Sequence, residues 1–145
     1  MKLTGKSRAI LKHSDGRIEI SENHNLILDV GFDFVISKII SADASAPMTY
    51  VAVGTGTTAA SSTLTGLTTE VARTQGTWTW TSGQASRTFT ISATFGQGDV
   101  IGTITEAGVC NASTSGTFLD RVLYDTALIG TSDSTLTIEF EFGVV

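Results

Sequence analysis

Few residues in this chain are suited to chemistry, and their spacing does not assemble a site. There are two histidines, His13 and His24, and one cysteine, Cys110. Zinc is usually held by four nitrogen or sulfur ligands, so these three residues do not complete a common set without carboxylates. Both histidines lie at turn or loop positions with polar neighbours and are expected to be exposed. Cys110, between Gly108-Val109 and Asn111-Ala112, reads as a strand residue and a buried structural thiol; no intrachain disulfide can form. Gly54-Thr55-Gly56-Thr57-Thr58-Ala59 matches G-x-G-x-x-A after a strand, the pattern that sets a pyrophosphate at a helix N-terminus. No helical pattern follows it, however, and no βαβ alternation surrounds it, so a plain glycine loop is expected. Asp15, Asp99 and Asp133 sit beside Gly or Ser, where aspartate bonds its own turn, without the spacing of a calcium loop. Glu139 and Glu141 share one strand face, whereas glycosidase carboxylates face each other across a cleft. No catalytic residue, metal ligand or cofactor is assigned, and the reading is non-enzymatic.

Two groups suggest contacts instead. Trp78 and Trp80 fall on one strand face, as core residues or as interface anchors, and Arg73 and Arg87 are placed to flank and stack on them. Lys2, Lys6, Arg8, Lys12 and Arg17 are five of nine basic residues. With Asp15 they give the first 17 residues a charge of +4, against −9 for the four cations and thirteen anions that follow. Such asymmetry marks either an interaction arm or an edge strand protected by charge. The net charge of −5 and pI near 4.8 argue against a phosphate backbone as main partner. No apolar run approaches the ~18 residues of a membrane helix. Met1–Ile10 is basic and interrupted by Gly5, so a secretory leader is not expected there and synthesis in a cytoplasm is.

The elements that must position these residues are mostly strands. The chain has 145 residues, 41% of them hydrophobic and only 16% charged, enough for one domain with a real core. His13-Ser14-Asp15-Gly16 separates two short apolar runs and predicts a hairpin turn, making residues 1–20 a basic N-terminal hairpin or arm. Phe32, Val35, Ile36, Ile39 and Ile40 recur at helical spacing, predicting one amphipathic helix over Asp29–Ile40, with Asp29 as N-cap and this face buried. Strands are expected over Met48–Val53, around Trp78 and Trp80, and with Phe89, Ile91, Ala93 and Phe95 on one face. Further strands are expected over Ile101–Cys110, Thr117–Tyr124 and Thr135–Phe142. Turns are expected at Ser82-Gly83, Gly96–Asp99, Ser113–Gly116 and Gly130–Ser134, and Leu64–Arg73 is irregular or a short helical turn. The pattern predicts an all-β fold, an antiparallel sandwich or jelly-roll-like barrel with one short helix.

An ordered set of motifs resembles small β-rich structural proteins of tailed bacteriophages, of the head-decoration and tail-fibre or collar-like kind. The motifs are His24-Asn25-Leu26-Ile27 leading to Gly31, Tyr50-Val51-Ala52-Val53-Gly54-Thr55-Gly56-Thr57-Thr58 and Thr69-Glu70-Val71-Ala72-Arg73. Gly102-Thr103-Ile104-Thr105-Glu106-Ala107-Gly108, Phe118-Leu119-Asp120-Arg121-Val122 and Asp133–Ile138 complete the series. The resemblance implies a virion part without catalytic residues, and a homo-oligomer, with a trimer expected. It would bind the major capsid protein on the capsid exterior as a cement, or a tail protein as an adaptor. The basic segment would then meet an acidic shell surface. A carbohydrate-binding module using Trp78 and Trp80 is the third reading, and an enzyme the fourth.

Overall fold

In the computed structural model the described residues are 2–40, 44–80 and 87–145. The element order is β1 (Leu3–Lys12), β2 (Ile18–His24), β3 (Leu26–Ile27), α1 (Asp29–Ile39), β4 (Tyr50–Gly54), β5 (Glu70–Gln75) and β6 (Thr77–Trp80). β7 (Thr88–Phe95), β8 (Gly102–Cys110), β9 (Asp120–Gly130) and β10 (Thr135–Val144) follow. Two five-stranded antiparallel sheets form, β2-β1-β10-β7-β6 and β3-β9-β8-β4-β5. The chain is an all-β sandwich with one short helix.

Alternation decides the faces of the first sheet. In β10, Leu136, Ile138, Phe140 and Phe142 point into the core; Thr137, Glu139 and Glu141 point out. Phe89, Ile91, Ala93 and Phe95 of β7 stand in register with them and point the same way. β1 and β2 form the expected hairpin, with Gly16 at φ 90° in its turn. β1 also pairs along its whole length with β10, from Leu3–Val144 to Lys12–Thr135. The basic segment is therefore an interior strand with its hairpin partner, built into the sheet.

The second sheet is covered on both sides. Val51, Val53, Ala107, Val109 and Val122 face the sandwich interior. On the outer side, Ala52, Cys110 and Phe118 form a second cluster with Leu28, Val30, Leu64 and Leu67. The segment from Thr55 to Thr69 and the start of α1 thus lie over this sheet, so β4 and most of β8 are buried on both faces and lose their alternation. The expected strand over Thr117–Tyr124 begins later and runs longer, as β9, while Phe118 forms an isolated bridge to Cys110. The expected turn at Ser82-Gly83 lies outside the described residues.

The helix forms where its spacing predicts, with two differences. Its N-cap is Leu28, without a side-chain cap; the N–H of Asp29 is satisfied instead by the Ser62 carbonyl. The buried arc is also shifted from the predicted one and shares only Val35 with it. Gly31 is buried against the Leu119 carbonyl, and Phe34 and Val35 pack on the core. Phe32, Ile36, Ile39 and Ile40 are 42, 54, 66 and 66% exposed. The helix is apolar around more of its circumference than the sandwich covers, so periodicity alone does not fix which part of the arc is buried.

Candidate interaction surfaces

The contact residues expected from sequence do not converge on one site. Lys6 and Arg8 project from the outer face of the first sheet and pair with Glu141 at 3.4 Å and Glu139 at 3.0 Å. Arg17 lies 4.0 Å from Asp15 in the hairpin turn, and Lys2 and Lys12 are exposed. A polar cleft of about 600 Å³ on this side includes Lys6, Arg8, Glu22, His24, Glu139 and Glu141. Cross-strand neighbours there alternate in sign, as in Glu22–Arg8–Glu139, so the N-terminal positive charge is largely balanced where it stands.

The tryptophans lie near the opposite edge of that sheet, with β10 and β7 between β6 and β1. Trp78 is half-buried, donates its indole N–H to the Met48 carbonyl, and packs on Phe89 and Phe142 at centroid distances of 5.5 and 5.9 Å. It is thus a core residue with one side toward an apolar groove of about 300 Å³, lined also by Phe34, Val35, Lys38, Met48 and Phe89. Trp80, opposite Phe89 in register, is exposed. Arg73 does not flank the tryptophans. It lies in the second sheet, over the Phe118 ring, bound to both Glu70 oxygens and to the carbonyls of Ala112 and Ser115.

What the sequence did not reveal is a buried polar clasp beneath the Thr55–Thr69 segment. Glu106 and Arg121 are fully buried, with Nε of Arg121 donating to Glu106 at 2.7 Å. Glu106 also accepts the backbone N–H groups of Gly56, Thr68 and Thr69 at 3.0, 3.1 and 2.8 Å. Arg121 donates through Nη1 to the Thr58 carbonyl. Burial opposes the charge on Glu106, but the Thr69 and Thr68 N–H groups and Arg121 outweigh it and lower the carboxyl's pKa. Gly56 is required here, since a Cβ would overlap the Thr68 hydroxyl and the Glu106 carboxylate. The G-x-G-x-x-A segment therefore closes over a carboxylate of its own chain. Its signal in the sequence is a glutamate inside an otherwise uncharged strand, with an arginine fifteen residues later.

A second buried carboxyl, Asp120, accepts from the Asn25 side-chain amide and, at 2.9 Å, from the Val109 N–H. Burial raises it to about 7 against those two hydrogen bonds. Cys110 is buried as expected, and its thiol is pushed up to about 11 by burial, which keeps it protonated and unreactive. His13 is a correction: it is buried, 2.6 Å from Glu19 and 3.3 Å from the Thr131 hydroxyl. The hairpin turn folds back against the loop after β9 and encloses it. Asp99 caps its own turn through the Gly96 N–H. Among the described residues no three His, Cys, Asp or Glu side chains gather in a metal-binding group, and no helix is long and apolar enough to cross a membrane.

No family model, curated protein or solved structure matches the chain. Gly54-Thr55-Gly56, Thr68-Thr69, Glu106 and Arg121 meet at the clasp, and Asn25 and Asp120 pair beside it.

Proposed function

We propose that this chain is a non-enzymatic structural protein of a tailed-phage particle, most simply a capsid decoration protein that binds the outer shell and stabilises contacts between major capsid subunits. The observation that carries this reading is the apolar groove beside Trp78, with Trp80 exposed on the same strand, on a sandwich whose loops are tied down by buried hydrogen bonds. An exposed contiguous apolar patch on a rigid scaffold suits association with protein. The ordered motif resemblance supplies the setting. Several modest contacts per oligomer suffice, because attachment at multiple points raises effective concentration, and binding to the assembled shell stabilises it by mass action. With Lys6 and Arg8 already paired to glutamates, apolar contact carries more of the attachment than a basic arm does.

The test is mass spectrometry with copy counting on purified particles, heads and tails separated. Many copies in the head fraction are expected. A few copies confined to tails would make the protein a tail adaptor, and absence from both fractions overturns the virion reading.

A further inference from the structure

The exposed side of α1 has the geometry of a helix pair. Phe32, Ile36 and Ile39 are spaced by four and then three residues, with Ile40 beside them. That is the spacing at which one helix seats its side chains between those of another. Asp29 begins the same line at the first turn, three residues before Phe32, and the rest of the stripe is uncharged; Asp33 and Ser37 occupy the neighbouring arc. The sandwich holds the helix by a different arc, through Gly31, Phe34 and Val35, so the stripe stays presented without disturbing the core.

We propose that this stripe is a contact between copies of the chain, α1 packing on α1 of a second copy. A seam of this spacing calls for another apolar helix, and among the described residues α1 is the one helix present. A second copy brings the same stripe, which self-complementary contacts about a symmetry axis require. The area is appropriate. At roughly 180–200 Å² for a fully exposed large apolar side chain, the four exposures amount to roughly 400–450 Å² per copy. A standard interface buries about 800 Å² per partner, a little over half of it apolar. The stripe thus supplies the apolar centre of one such interface.

This proposal does not depend on where in a particle the protein sits. It is tested on the full chain by sedimentation equilibrium across micromolar concentrations, with Ile36→Glu as the variant. Ile36 is more than half exposed, so the variant should fold, which circular dichroism and an unchanged melting temperature would establish. The wild type should self-associate, and Ile36→Glu should weaken that association by at least about 30-fold, as loss of a hot-spot residue does. In an Ile36→Cys variant, mild oxidation should yield a covalent dimer, the native Cys110 being buried. A wild type that stays monomeric, or an association that persists unchanged in Ile36→Glu, overturns the proposal, as does failure of Ile36→Cys to cross-link while association is intact. A monomer that instead binds an isolated capsid or tail subunit through this stripe overturns it too, and assigns the surface to that partner.

Discussion

The outer faces of the two sheets solve opposite problems. On the first sheet the outer side is open, and its charges, Lys6–Glu141 and Arg8–Glu139, stand in water as cross-strand pairs. On the second sheet the outer side lies under the Thr55–Thr69 segment, and the Glu106–Arg121 pair beneath that segment is fully buried. Both faces carry Glu–Arg pairs at close range, 3.0 Å and 2.7 Å, yet the pairs do different things. Water can replace an exposed partner. A buried partner has no such substitute, so the Glu106–Arg121 pair fixes the loop that covers it, whereas the exposed pairs only balance charge.

The comparison breaks most sharply at Glu106. Glu106→Gln is expected to leave the Arg121 guanidinium buried without its counter-charge and to weaken three backbone contacts, costing about 3–5 kcal/mol. Urea denaturation of wild type and variant measures it. A loss near that of an exposed pair would mean that the clasp does not fix the loop.

Asp120 sharpens the contrast, because it is buried without a cation among its hydrogen-bond partners. Its folded pKa of about 7 lies above the ~3.9 of an unfolded aspartate. Between those values the folded chain holds a proton that the unfolded chain has lost. The stabilising contribution is therefore complete below about pH 4 and declines as pH rises to about 7. Asp120→Asn removes that titration. Wild type should lose more stability than Asp120→Asn between about pH 4.5 and 7.5, by a few kcal/mol at most. Parallel stability–pH curves for the two proteins would show that Asp120 is already ionised in the fold.

The sequence disclosed these regions unequally, for a physical reason. Where one sheet face meets water, residue type alternates, so the β7 and β10 core positions and the Asp15-Gly16 hairpin were legible. Where a loop covers the second face, the alternation vanishes, so Glu106 inside β8 was not singled out and β9 was expected too short. His13 was expected in solvent because its sequence neighbours are polar; what encloses it, Thr131, is 118 residues away. The helix was legible as a helix, but its orientation was not. Its apolar arc is wider than the contact, and the Gly31–Leu119 approach that chooses the side depends on the segment leading into β9, far along the chain.

The smallest effect belongs to the open face, and it makes the comparison quantitative. Arg8 and Glu139 pair at 3.0 Å, and Arg8 also stands opposite Glu22 on its other side. In a double-mutant cycle with Arg8→Ala and Glu139→Ala, the coupling is expected at about 0.2–1 kcal/mol, because solvent screens both partners and two long side chains must be held in place. That coupling should shrink further as salt is raised, since exposed charges feel the ionic atmosphere. The loss on Glu106→Gln should hardly change over the same range, because the buried pair is shielded from it. Equal salt sensitivity at the two sites would mean that water reaches the clasp, and that the covering segment opens far more readily than its hydrogen bonds imply.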